Sequence, residues 1–271
     1  MKKPTADSRQ PVARARATAR WGLWAVGCGL ALVASACNEL AGPIRPAGYG
    51  YTLVVSDVVA ATDTIDGVIY TVGDTITDTV DFKWPAASLP LKIWVEDSAG
   101  LFGYAAAAIN IWRGKLIYGE FDAGLIADST RADVIIRLSL PPALPASHGT
   151  RLPALVGPCE GGTDLFISAP DHRRLWTPVR IYIHPNFELS DPATGPCLAR
   201  VTAHELGHAL GLFQHSPNPE DLMYGFPTVD TPSDADVATV LWLYHQPTDL
   251  RPRPATDTLP PASAIVSAGS R

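Results

Sequence analysis

Twelve residues, His204-Glu205-Leu206-Gly207-His208-Ala209-Leu210-Gly211-Leu212-Phe213-Gln214-His215, constrain this chain more than any other stretch. His204 and His208 stand four apart, which on an α-helix puts both imidazoles on one face, one turn from each other. Two ring nitrogens so placed can reach one metal ion at about 2.0–2.1 Å. Glu205 is turned by about 100° from His204 and can lean over the open side of the ion without binding it. A catalytic zinc has three protein ligands and one open position, and His215 is the natural third. It lies 11 residues after His204, roughly 16 Å along a straight helix, so the chain has to turn back. Gly211 sits where that turn belongs, because glycine enters the left-handed region without a steric penalty and commonly follows a helix end. The helix is therefore predicted to end near Leu210, with His215 arriving from the other side. Zn2+ held by the three histidines, with Glu205 as general base for a bound water, is the arrangement that metal-assisted hydrolysis needs.

Asp221-Leu222-Met223-Tyr224 follows in a segment rich in Pro and Asn. With it, the run resembles the metzincin zinc peptidases, which join a two-histidine helix, a Gly, a third His and a downstream Met-turn. The wording of residues 201–225 is most similar to the matrixin branch, and a looser likeness of layout covers about 82–247. The resemblance implies peptide-bond hydrolysis, a protein or peptide substrate, and Met223 as an apolar floor under the imidazoles rather than a ligand. It also implies an α+β fold: a twisted, mostly parallel sheet with an antiparallel edge strand, an active-site helix, the Met-turn and a C-terminal helix. An extended peptide would add to the edge strand by main-chain pairing. One departure stands out. The family has two residues between the Gly and the third His, and this chain has three, Leu212, Phe213 and Gln214.

The start of the chain reads as an export signal. Residues 1–20 carry six basic side chains against Asp7, and residues 21–36 hold no charge. A basic region, a short apolar region and the small residues Ala34, Ser35 and Ala36 describe a secretory signal peptide. Ala-Ser-Ala before Cys37 also resembles a bacterial lipobox, although Ala34 stands where Leu is usual. Cys37 would then carry lipid and anchor the protein to a membrane. Cleavage after Ala36 without lipid, or an uncleaved anchor, are the alternatives. Cys28 lies within the apolar region, which leaves Cys159 and Cys197 as one pair in an exported domain, and such a pair reads as a disulfide. Closing its 38-residue loop is worth about 3–4 kcal/mol on the chain-entropy estimate. Without residues 1–36, basic residues fall from 21 to 15 and acidic ones from 27 to 26, for a net charge of −11. That balance excludes a nucleic-acid partner, which needs a basic surface. The protein is expected to be an exported monomer, in the cell envelope or outside the cell.

Residues 37–50 read as a tether. Residues 51–81 hold the β-branched runs 51–55 and 68–72, with Asp66-Gly67 and Gly73-Asp74 as turn signals, and suggest short strands or a hairpin. This piece is a small β element or a pro-segment, and it lacks any Cys that could mask a metal. The catalytic domain is placed at 82–247, with strands at 91–96, 133–138, 163–168 and 179–184 and a helix over 99–113. The metal helix is expected to start at Cys197 or Leu198. A last helix is expected to open with Thr231 as N-cap and Pro232 at its first position, and to stop at Pro247. Residues 248–271, rich in Pro, Ser, Thr and Ala, read as a disordered tail.

Other residues weigh less. His148, His172 and His184 lack the spacing of the second zinc segment found in matrixins, and read as ordinary solvated or hydrogen-bonded histidines. Asp122, Asp128 and Asp133 raise the possibility of Ca2+, but no calcium-loop spacing supports it and they read as a solvated face. The competing function is a non-catalytic surface lipoprotein that keeps a metzincin-like fold for binding. Glu205 argues against it, since a binder has no use for a base beside an open metal position.

Overall fold

Stretches rich in β-branched residues make a long hairpin before the main sheet begins. β1 (Leu53–Ile65) and β2 (Val68–Val80) pair antiparallel from Leu53 opposite Val80 to Ile65 opposite Val68. Gly73 and Asp74, read as a turn signal, lie within β2 opposite Ala60 and Val59. The ladder runs through them because backbone pairing over thirteen positions outweighs one local turn preference. This computed structural model describes residues 46–65, 68–98, 100–140, 159–168, 171–254 and 263–269. The leader 1–36, Cys37, the Asp66-Gly67 turn and His148 lie outside these residues. All those described belong to one unit, Arg45–Arg271.

The main sheet is mostly parallel. β3 (Leu91–Val95) buries Leu91, Ile93 and Val95 with a period of two. It pairs parallel with β4 (Ala123–Ile126) on one side and β5 (Val134–Leu138) on the other. β5 continues parallel to β7 (Arg174–Pro185), and β6 (Cys159–Ser168) runs antiparallel along the far side of β7. β6 is thus the antiparallel strand expected beside the parallel order β4-β3-β5-β7, and one further strand, given below, pairs on its outer side. β6 starts four residues before the predicted Thr163, since glycines at 161 and 162 weaken its β signal without interrupting its pairing.

Three α-helices among the described residues pack with this sheet. α1 (Leu101–Lys115) buries Leu101, Ala105, Ala108, Ile109 and Trp112, the apolar stripe visible in the sequence. α2 (Thr194–Ala209) carries the metal motif and begins three residues earlier than predicted. Pro196 falls in its first turn, where proline is tolerated because its missing N–H has no helical partner. α1 and α2 are joined by Trp112, whose indole N–H donates to Ala203 O at 2.9 Å. α3 (Asp234–Tyr244) is capped by Ser233, not Thr231. Ser233 accepts from the N–H groups of Ala235 and Asp236, and Asp236 reaches back to Ser233 N, a reciprocal capping box.

The disordered tail expected over 248–271 is corrected at residues 248–254 and 263–269. Leu250 is fully buried and its N–H donates to Asp81 O. β8 (Arg251–Pro254) runs parallel to β7 at Arg174–Thr177, a stretch β5 does not reach. β9 (Ser263–Gly269) pairs antiparallel with β6 from Ser168 to Gly162. Main-chain pairing asks for no apolar side chain, so even Arg251–Pro254 adds beside β7 where β5 is not paired.

Candidate metal centre

Burial of α2 sets the chemistry of the centre. His204, Glu205 and His208 are fully buried, and His215 is half-buried. The three imidazole centroids form a near-equilateral triangle, 4.7 Å (His204–His208), 5.1 Å (His208–His215) and 5.3 Å (His204–His215) apart. His204 Nδ1 lies 2.7 Å from Leu222 O and His208 Nδ1 lies 2.5 Å from Leu212 O. A carbonyl can only accept, so both rings carry their proton on Nδ1 and leave Nε2 with a free lone pair. Burial, with the neighbouring His215 adding to it, pushes the His204 imidazole down to about 3, and His208 is likewise held well below the usual histidine range. Both are neutral donors at physiological pH.

The donor set fits a metal ion. One ligand atom from each of His204, His208 and His215 lies within 4.8 Å of the others. His208 Nε2 and His215 Nε2 are 3.2 Å apart, where two ligands of a tetrahedral zinc stand about 3.3 Å apart. His204 Nε2 is buried without a hydrogen-bond partner among the described residues, which is costly unless something else takes its lone pair.

The additional residue after Gly211 is absorbed in the turn. Gly211 adopts φ +108°, and a Cβ there would meet Phe82 O at 2.0 Å, so conformation and space both require glycine. Phe213 turns inward and stacks on Phe82, with ring planes 9° apart. Gln214 turns outward and its amide donates to Thr52 O at 2.7 Å. The chain then delivers His215 to the triangle, and Ser216 N donates to Met223 O to tie this arm to the Met-turn. Met223 is fully buried against Gly207 of α2, where a Cβ would come within 2.4 Å of Met223 Sδ.

Sequence reasoning did not find the residue that holds the Met-turn. Asp236 is buried and accepts from Leu222 N, Met223 N and Ser233 N, and from the Tyr49 hydroxyl. The signal was present as Ser233 three residues before an acid, the pattern of a capping box. Thr163 was also passed over. Its hydroxyl donates to Glu205 Oε2 at 2.8 Å. Burial pushes the Glu205 carboxyl up to about 8, with the Thr163 bond opposing and Asp164 adding to the rise.

The remaining candidates fall away from the centre. Cys159 and Cys197 form a disulfide with Cα atoms 6.0 Å apart. His172 is buried with Nδ1 2.8 Å from Asp78 Oδ2, and His184 stands opposite Glu160 in the β6–β7 ladder. Asp122 pairs with Arg113, Asp128 accepts from Thr130, and Asp133 accepts from Lys92 N.

The profile of the matrixin family of peptidases, M10, matches residues 165–245, from β6 through α3. No curated protein matches the chain.

Proposed function

We propose that this chain is a matrixin-like metzincin, an exported zinc-dependent endopeptidase with His204, His208 and His215 as metal ligands and Glu205 as general base. The convergence of the three imidazoles carries the reading, because His215 reaches the other two despite the longer spacing. The family implies zinc, and this cluster suits it. When bound, zinc supplies Lewis acidity, which polarises a carbonyl and lowers the pKa of a water.

The protein's own groups do the rest. His204 and His208 offer Nε2 because carbonyl acceptors fix their tautomers. Glu205 lies beside the cluster, and a buried carboxyl raised to about 8 ionises when positive charge stands near it. It takes a proton from the attacking water and returns it to the departing amine. Met223 and the Leu222 carbonyl form the floor that orients His204. An extended substrate adds to the outer edge of β6, in the place where β9 pairs. The leader directs export, and Cys37 is the point of lipid attachment.

The test is hydrolysis of a dye-labelled unfolded protein by the zinc-loaded chain, with and without chelator, alongside Glu205→Gln. Activity that chelator removes, and that Glu205→Gln lacks while retaining zinc, supports the reading. Full activity in Glu205→Gln sinks the base assignment.

A further inference from the structure

Cys159, Gly161 and Thr163 are alternate residues of β6, and so line one face of the strand. Cys197, Val201 and Glu205 are spaced by four on α2, and so line one face of the helix. The two rows meet in register. Cys159 is bonded to Cys197. A Cβ on Gly161 would lie 2.5 Å from Val201 Cγ1 and 2.5 Å from Glu205 Oε1. Thr163 Oγ1 stands 2.8 Å from Glu205 Oε2. The match has a geometric basis: two strand residues advance about 6.6 Å and four helix residues about 6 Å.

We infer that Thr163 is a positioning residue for the general base, set opposite Glu205 by this β6–α2 register and its disulfide. The inference rests on the endopeptidase reading above and deepens it. Thr163 is fully buried, and its hydroxyl also reaches Glu205 O at 3.2 Å. Against an ionised carboxylate it donates to Oε2 and restrains the rotation of the side chain. Oε1 has no hydrogen-bond partner among the described residues and lies against the bare Cα of Gly161. The strand therefore holds one oxygen with a hydroxyl and leaves room for the other with a glycine, so that a defined oxygen is free to accept the proton. A base held in one orientation acts without first losing side-chain freedom.

The experiment compares Thr163→Val, Thr163→Ala and Thr163→Ser in the full chain loaded with zinc. Steady-state hydrolysis of the dye-labelled protein is measured with zinc affinity, thermal midpoint and a crystal structure of each variant. Thr163→Val is expected to lower kcat by about 10–100-fold, as for loss of a hydrogen bond to a charged group, with KM and zinc affinity within about two-fold. Thr163→Ser is expected to recover most of kcat. In the Thr163→Val and Thr163→Ala structures the Glu205 carboxylate should leave its present orientation. Wild-type kcat in folded Thr163→Val, or a carboxylate that stays in place without the hydroxyl, overturns the inference. The two failures are separable. An inactive Glu205→Gln beside a fully active Thr163→Val removes the inference and keeps the endopeptidase reading. A fully active Glu205→Gln removes that reading, and the crystal structures then decide whether Thr163 orients the side chain.

Discussion

Gly207 and Met223 touch backbone to sulfur: a Cβ at residue 207 would sit 2.4 Å from Met223 Sδ and 2.9 Å from Trp112 Cζ2. The glycine between the two helical histidines is therefore a packing requirement of the Met-turn. Gly207→Ala forces the sulfur and the indole apart, and overpacking of this kind costs about 1–3 kcal/mol. An unfolding free energy from urea titration lowered by that amount, with a lower midpoint and weaker zinc binding as the floor shifts, is the expected result. An unchanged midpoint would mean that the two side chains move aside freely.

His215 and Gln214 should behave oppositely. Gln214 stands at the position where a two-residue spacing after Gly211 would put the third ligand, but its side chain reaches Thr52 O. His215→Ala is expected to weaken zinc binding by at least about 100-fold, more than loss of an outer hydrogen bond to a ligand does. Gln214→Ala should leave it within about two-fold. Equilibrium dialysis with a zinc-sensitive dye reads both, and equal affinities in the two variants would remove His215 from the ligand set.

Asp236 provides a pH test of the Met-turn. Its carboxylate takes Leu222 N and Ser233 N on Oδ2, and Met223 N and the Tyr49 hydroxyl on Oδ1. Asp236→Asn turns an amide donor toward two donors, and leaving them unsatisfied costs about 2–4 kcal/mol. Burial raises the Asp236 pKa, opposed in part by the hydrogen bonds from Ser233, Tyr49 and Leu222, with Asp221 adding to the rise. A raised carboxyl favours the protonated form in the fold. Its contribution to stability is complete below the unfolded carboxyl value and declines as pH rises through the folded one. Asn does not titrate, so the stability gap between wild type and Asp236→Asn should narrow from pH 4 to pH 8. Urea unfolding across that range checks it, and a widening gap would show that the four hydrogen bonds outweigh burial.

β9 lies along the side of β6 where an extended peptide would pair. Removing residues 255–271 keeps β8 and opens that edge. The truncated chain is expected to show a KM for an unfolded protein lowered by about 3–10-fold, with kcat little changed, since a competing strand no longer has to leave. A KM equal to that of the full chain would show that substrate adds elsewhere.

The metal helix was legible in the sequence because the spacing of His204, Glu205 and His208 is a property of the helix itself, independent of what packs on it. The same holds for the turn at Gly211, for the buried stripe of α1 and for the period of two in β3. The pairing of Cys159 with Cys197 followed from the expectation of export, under which these two cysteines are the pair left after the leader and Cys37 are set aside. Thr231 misled, since a Thr before a Pro and a Ser before an acid are both local cap signals, and only the surrounding turns choose between them.

Sequence alone determined that two imidazoles and a carboxylate share one helix and that a glycine turns the chain after them. Only the tertiary structure decided that His215 arrives in spite of an added residue, that Asp236 grips the Met-turn, that Thr163 faces Glu205, and that β8 and β9 add to the sheet. The physical reason is range. A helix repeats every few residues and writes its geometry into neighbouring positions, whereas Thr163 and Glu205 are 42 residues apart. They meet only because a strand and a helix of matching rise are packed face to face.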